Sequence, residues 1–365
     1  MTDPKRLRVS EQARVAVAGP ATQYEVARLA GVHRATVSRA LDPARRDLLD
    51  PATLARVLAA VESLGYRPNA LARGLKTSRS GTTGLIVPDL SSPEVSIVVG
   101  ACETRIRDAG YSTLVMSSGD DAQGLAAASE QLMASRAEGV IVVTSKRADF
   151  VLPALGLDGT PVVIVGPHDD AFPTVSIDNQ LGAERAVEHL IRLGHRRIGL
   201  ICEGQNTTRG AAHVDGYRVA MSRAGIGVDE RLVQIAEPSR PASGVEACAA
   251  LFHRGVAPTA ILATSDETAL GCYAALAEFG LGVPDDVSVV GYGNSAYGRY
   301  FSPPLTTVSL PLAAAGYAAA ARLLAQLGAE GEIDSDHVHV TPYLVQRLST
   351  RHAAITAVSE AQSER

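Results

Sequence analysis

From about residue 82 onward, short runs of consecutive aliphatic and β-branched residues recur. Each ends in a polar residue or a glycine, and alanine-rich amphipathic stretches lie between them. The strand-like runs are Gly84–Pro88, Ser112–Met116, Gly139–Thr144, Pro161–Val165, Arg197–Cys202, Thr259–Thr264 and Val287–Tyr292. Helical patterning falls between them, as in Gln123–Ala134, Gly182–Leu193, His213–Ala224, Val245–His253 and Glu267–Phe279. A strand that is apolar along its whole length is covered on both faces, and helices between successive strands supply that cover for a parallel sheet. The stretch 82–352 is too long for one such sheet. It predicts two doubly wound halves, with ligands favoured at the carboxyl ends of the strands.

The first 81 residues follow a different rhythm and carry a different charge. They hold 14 Lys and Arg against 7 Asp and Glu, a net +7. The remainder holds 20 against 32, a net −12, so the overall −5 conceals a basic head on an acidic body. A basic region confined to one end points to nucleic acid. Residues 1–21 read as a flexible basic arm. A helix then starts at Thr22, a suitable N-cap, with Val26, Leu29 and Ala30 on one face. Gly31 supplies the positive φ of a tight turn, and a second short helix covers about Arg34–Leu41. Asp50-Pro51 opens a third helix that runs to about Leu64, with Leu54, Val57, Leu58 and Val61 on its apolar face. The spacing of Ala27, Gly31 and Val37 suits a helix-turn-helix, and also a plain αα-hairpin.

Other classes are disfavoured. Cys102, Cys202, Cys248 and Cys272 are scattered without a CxxC, which fits reduced thiols in a cytosol rather than a disulfide scaffold or a zinc site. No apolar run approaches the length of a membrane span, and residues 1–20 lack the apolar core of an export signal. No GxSxG, GxxxxGK[ST], HExxH or strand-end GxGxxG occurs, and His337 and His339 are too isolated to suggest a metal site. Neither an enzyme activity nor a cofactor is expected.

Thr22–Lys76 resembles the DNA-binding head of the LacI/GalR family of bacterial transcriptional regulators. The resemblance rests on Val26-Ala27-Arg28-Leu29-Ala30-Gly31-Val32, Thr36-Val37-Ser38-Arg39 and Leu64-Gly65-Tyr66-Arg67-Pro68-Asn69-Ala70-Leu71-Ala72-Arg73. It continues through Gly84–Asp89, His189–Ile198, Pro303–Val308 and Leu344–Thr350, and so covers residues 22 to about 352. It implies an all-α helix-turn-helix head joined to an α/β sensor of the periplasmic-binding-protein type, made of two doubly wound parallel-sheet subdomains. The implied divisions are a head at 22–67, a hinge helix and linker at 68–81, a sensor at 82–352 and a tail at 353–365. Within the sensor, one subdomain takes about 82–176 and 309–337, the other about 177–308 and 338–352. The implied molecule is a cytoplasmic homodimeric repressor of a near-palindromic operator, controlled by a small-molecule effector in the interdomain cleft.

The resemblance also assigns residues. The second helix enters the major groove, where Arg34 and Arg39 read guanine edges and Ala35 reaches at most a thymine methyl. Thr22, Tyr24, His33, Thr36, Ser38 and Asn69 match positions that touch the DNA backbone. His33 stands where the family usually has a serine that caps this helix. Ala72 and Leu75 match the minor-groove hinge, Leu75 being the wedge that kinks the duplex. Asp89, Arg209, His213, Ser265, Asp266, Tyr292 and Asn294 are the effector-pocket candidates, although Asp266, at a helix start after Thr264-Ser265, suits a helix cap better than a ligand contact. The pocket departs from the family pattern. Gly166 and Gly293 replace two carboxylates, and His213 replaces an arginine. A roomier cleft, poorer in hydroxyl acceptors, is therefore expected, suited to a larger, less polyhydroxylated or anionic effector. The alternative is a DNA-binding regulator with a silent pocket, controlled by a partner protein or by abundance.

Overall fold

The computed structural model describes residues 21–67, 79–119, 121–146, 155–156, 159–167, 172–202, 207–236, 240–253, 255–331 and 337–353. The expected basic arm, the hinge helix with Asn69, Ala72 and Leu75, and the tail beyond residue 353 lie outside them. The chain divides into two compact units, residues 1–80 and 81–365.

In the first unit, α1 (Gln23–Ala30), α2 (Arg34–Ala40) and α3 (Pro51–Ser63) follow from their caps. Thr22 and Glu25 form a reciprocal capping box. The Glu25 amide donates to the Thr22 hydroxyl at 3.4 Å, and the Thr22 amide donates to the Glu25 carboxylate at 2.7 Å. Those bonds hold the Glu25 carboxyl below its usual range. Gly31, at φ +64°, ends α1. Asp50 accepts from the Thr53 amide at 3.0 Å, and Pro51 occupies the first helical position. The small core is Val26, Ala27, Ala30, Val37, Ala40, Val57 and Ala60. Each fully buried valine contributes roughly 1.5–3 kcal/mol relative to exposure. Leu29 and Leu58, expected on the inner faces, are instead exposed. Three short helices meet closely only where the residues are small, so Ala27 and Ala60 take the inner places.

The second unit holds two six-stranded sheets. The first has the order β11-β5-β4-β3-β1-β2, all parallel: β1 (Thr82–Val87), β2 (Ser112–Ser117), β3 (Val140–Val143), β4 (Val162–Val165), β5 (Thr174–Ile177) and β11 (His337–Val340). The second has the order β12-β10-β9-β8-β6-β7: β6 (Ile198–Cys202), β7 (Val233–Ile235), β8 (Ala260–Ala263), β9 (Ser288–Tyr292), β10 (Thr306–Ser309) and β12 (Tyr343–Val345). Only β12 in that sheet runs antiparallel to its neighbour. The predicted apolar runs all become strands. Helices α4 (Pro93–Asp108) and α10 (Leu312–Gln326) pack together on the first sheet, with α5 (Ala122–Ala134) also against it. On the second, α6 (Asn179–Arg192) pairs with α7 (Thr208–Arg223), and α8 (Pro241–His253) pairs with α9 (Asp266–Glu278). One buried cluster runs from Leu85, Val98 and Ala319 of the first half to Val187, Leu200 and Tyr217 of the second.

The chain passes between the sheets three times, at residue 178, at 310–311 and at 341–342. The third comes later than the expected 337/338. His337–Val340 pairs in parallel with Thr174–Ile177 and so belongs to the first sheet throughout.

Each major helix pair crosses at a glycine. A Cβ on Gly316 would lie 2.6 Å from the Val98 carbonyl oxygen, one on Gly216 2.2 Å from that of Gln180, and one on Gly271 2.1 Å from that of Pro241. Backbone cannot yield as a flexible side chain can, so these positions fix how closely the helices approach. Gly271→Ala is expected to destabilise the sensor by about 1–3 kcal/mol through overpacking, measured by urea unfolding monitored by circular dichroism.

Candidate functional site

In the first unit, Val37 and Ala40 turn α2 inward, and Arg34, Ala35 and Arg39 are exposed on its other side. Thr36 and Ser38 are half-buried beside them, while Thr22 and Tyr24 are exposed at the start of α1. The predicted groove-reading and backbone-contacting residues of the two helices are therefore solvent-accessible, with two guanidinium groups flanking one alanine. His33 itself caps α2. Its Nδ1 accepts from the Ala35 amide at 3.2 Å, so the imidazole takes over the bond that a serine hydroxyl makes in the family pattern.

In the second unit a cavity of about 500 Å³ opens at the carboxyl ends of the first sheet's strands. Its wall includes Pro88 after β1, Thr144 and Ser145 after β3, and Gly166 and Pro167 after β4. The first two passages between the sheets border it through Asp178 and Leu310, with Asn179 and Gln180 at the start of α6 and His339 within β11 also in the wall. The second subdomain adds Thr208, Arg209 and Ala212 from α7. Arg209 reaches across to Glu94 of α4, with Nη1 to Oε2 at 2.9 Å and Nη2 to Oε1 at 3.3 Å. This two-pronged ion pair ties a helix of one subdomain to a helix of the other.

Of the seven pocket candidates, Arg209 lines this cavity, and the structure places the other six outside its wall. Asp89 is exposed just beyond Pro88, and bonds from the Ser91 hydroxyl and amide lower its pKa. Ser265 is the N-cap of α9, accepting from the Thr268 amide at 3.0 Å. The cap is thus Ser265, and Asp266 is the first helical residue. The Asp266 carboxylate is buried and accepts from the Thr307 hydroxyl at 2.6 Å, the Ser295 amide at 2.6 Å and the Ser295 hydroxyl at 2.7 Å. Burial nevertheless pushes its pKa up, outweighing those bonds. Asn294 accepts from Arg347 at 2.7 Å and donates to Ser309 at 3.2 Å, bracing β10 against the last described segment. Tyr292 is buried and donates to Asn179 Oδ1 at 3.1 Å. His213 meets the Tyr292 ring edge-on at 4.7 Å, and neither of its ring nitrogens has a hydrogen-bond partner. Complete burial drives its pKa well below the ordinary histidine value, so the ring is neutral.

The two glycines that replace family carboxylates are explained by their surroundings. A Cβ on Gly166 would lie 2.4 Å from the Thr144 carbonyl oxygen, so this strand end leaves no room for an acid. Gly293 has φ +118°, and a Cβ there would lie 2.8 Å from Glu94 Oε1. A carboxylate is therefore present over Gly293, but α4 supplies it from the opposite side of the cleft. The cleft is not as poor in acceptors as the sequence suggests, nor does it present an unpaired Arg209. Glu94, Ser176 and His339 were not recognisable as site residues by type. Thr144 and Ser145 were, because they directly follow an apolar run at a strand's carboxyl end. Among the described residues no helix is long and apolar enough to cross a membrane, and no group of three or more His, Cys, Asp or Glu is placed to hold a metal.

Residues 22–69 match the family described as "Bacterial regulatory proteins, lacI family", and residues 187–350 match the "Periplasmic binding protein-like domain". The HTH-type transcriptional repressor PurR of Proteus mirabilis is 33% identical over 333 residues, covering 90% of this chain and 96% of that protein. The HTH-type transcriptional regulator GalR of Escherichia coli K12 is 32% identical over 346 residues, covering 94% and 100%. A lac repressor dimer, solved bound to operator and the anti-inducer ONPF, superposes with a TM-score of 0.80 at 27% identity, covering 91% of this chain and 100% of that one.

Burial of neutral imidazoles makes the sensor acid-sensitive. Desolvation lowers His189 to about 4, and His213 is also shifted strongly downward. Below about pH 6.5 the unfolded chain binds protons that the folded one refuses, so stability falls as pH falls from there. For His189 the loss continues to about pH 4. His213→Leu is expected to keep its stability at pH 7, since an apolar group replaces two unpartnered nitrogens. It should also flatten the slope between pH 6.5 and 5 by up to about 1.4 kcal/mol per pH unit in urea unfolding.

Proposed function

Because the chain belongs to the lacI family of bacterial regulatory proteins, we propose that it works as a cytoplasmic, homodimeric transcription repressor whose operator binding is controlled by a small molecule in the sensor cleft. The observation that carries this reading is α2, whose buried face holds Val37 and Ala40 while Arg34, Ala35 and Arg39 face solvent. An exposed helix of this composition, seated on a capped partner helix, suits insertion into a major groove. Arg34 and Arg39 each offer a planar fork to guanine O6 and N7, and Ala35 between them leaves space for a thymine methyl. Thr22, Tyr24, His33, Thr36 and Ser38 hold the register through the phosphates, with Asn69 doing the same further along. Two heads related by a twofold axis read a near-palindromic site, and Ala72 and Leu75 of each chain meet in its minor groove.

The cavity supports control by a ligand over a silent pocket. Its wall includes Asp178 and Leu310, at the first two passages between the subdomains, so a bound molecule touches places where a change of subdomain angle must occur. A ligand that binds one angle better than another shifts the population toward it, and that differential affinity is what reaches the DNA.

Operator sites recovered by in vitro selection should be near-palindromic with G·C pairs opposite Arg34 and Arg39. Arg39→Ala is expected to cost about 1–3 kcal/mol and to relax selection at one position per half-site, measured by gel-shift titration. Equal weakening on every sequence would make Arg39 a phosphate contact instead. Affinity should fall steeply between low and physiological salt, because phosphate contacts release counterions. Leu75→Ala should reduce bending of the full site in a circular-permutation gel assay while half-site recognition persists.

A further inference from the structure

Resting on that reading of the cleft, we propose that the Glu94–Arg209 ion pair is a latch: it holds the two subdomains at one angle while no ligand is bound, and so sets the operator affinity of the ligand-free protein.

The pair is not explained by the needs of the two helices that carry it. Arg209 is the second residue of α7, where a cation meets the positive end of the helix dipole. That helix already has a cap, the Thr207 hydroxyl accepting from the Gly210 amide at 2.9 Å. Glu94 is the second residue of α4, a favourable place for an acid, yet its carboxylate reaches across the cleft to both Nη groups of Arg209, at 2.9 and 3.3 Å. Its Oε1 also lies over Gly293, just past the end of β9. A Cβ at that position would stand 2.8 Å from Oε1, so the carboxylate fits because residue 293 has no side chain. Two elements of the second subdomain thus receive one side chain of the first. A neighbouring pair of charges faces across the cleft in the same sense. The Asp89 pKa is lowered chiefly by its bonds from Ser91, and further by the charge of Arg240 just ahead of α8.

Each partner stands on a helix fixed within its own subdomain. α4 is seated against α10 at Gly316, and α7 against α6 at Gly216. A change of subdomain angle therefore moves the two helices relative to each other, and a two-pronged guanidinium–carboxylate contact tolerates little displacement. The side chains are only 24% and 28% exposed, so desolvation offsets much of their attraction. Such a pair adds little to folding and much to the choice between two angles. Both residues also line the cavity, so a bound molecule acts on the latch itself.

The test follows hydrogen exchange and operator binding of the full-length protein without ligand. The Asp178 amide donates to the Val340 carbonyl at 3.2 Å, which ties the first passage to the strand end before the third, and it serves as the exchange reporter. Glu94→Gln keeps the shape and removes the charge. It is expected to speed exchange in the peptide carrying Asp178 at least about threefold, and to shift affinity for a selected operator at least about threefold in gel-shift titration. Glu94→Asp, which keeps the carboxylate, should recover part of both effects. Added to Arg209→Gln, Glu94→Gln should change neither reading further, because its partner is already gone. That arm isolates the pair from every other contact of Arg209. Unchanged exchange or unchanged operator affinity in Glu94→Gln would overturn the proposal, as would equal effects with and without Arg209. The unsubstituted protein, titrated in parallel, separates the two readings. Its failure to bind operator removes the regulator reading, whereas operator binding together with any of those outcomes removes only the latch.

Discussion

The sensor depends on one topological constraint: each passage between its two sheets leaves from the carboxyl end of a strand. The chain departs after Ile177, after Ser309 and after Val340, and in each case it enters the other subdomain at once. Parallel strands place their carboxyl ends along one edge of a sheet, where no helix covers them. The hinge and the ligand cavity are consequently the same region of the molecule. Residues that join the subdomains, such as Asp178 and Leu310, are also residues that line the cavity. No separate relay is needed to couple occupancy to subdomain angle, because the ligand would lie on the joints.

Rigid bodies on either side make such a hinge useful. Glycine contacts at Gly316, Gly216 and Gly271 bring helix backbones together so closely that the helix pairs have little freedom to slide. Buried polar groups are fixed in the same way. Asp266 joins α9 to β10 and to the Ser295 turn, and Ser349 donates to the Val289 carbonyl at 2.6 Å while accepting from the Thr306 amide at 2.8 Å. These bonds lock the last described segment onto the second sheet. The side-chain pair Glu94–Arg209, by contrast, joins two bodies that are otherwise separately braced.

Much of the fold was legible in the sequence because its signals are local. Thr22, Gly31 and the Asp50-Pro51 pair announce the head's helices, and continuous apolar runs announce the central strands. The strands that escaped are short, polar or at sheet edges. Thr174–Ile177 mixes Thr and Ser with its aliphatics, Val233–Ile235 has three residues, and His337–Val340 alternates histidine with valine. In the last case the histidines' alternation with valine, a period of two, is the strand signal. The pocket was less legible than the fold. His213, Tyr292 and Asp266 have the right chemistry for ligand contact, yet their side chains serve the interior. Glu94 and His339 reach the cavity from distant parts of the chain, and no local pattern reports that.

The meeting of Glu94 with the backbone at Gly293 also constrains how this sensor can acquire a new specificity. Restoring a carboxylate at position 293 alone would place a side chain against Glu94 and force an unfavourable φ. Removing Glu94 would break the ion pair with Arg209. An acid at position 293 and the Glu94 carboxylate therefore compete for one space.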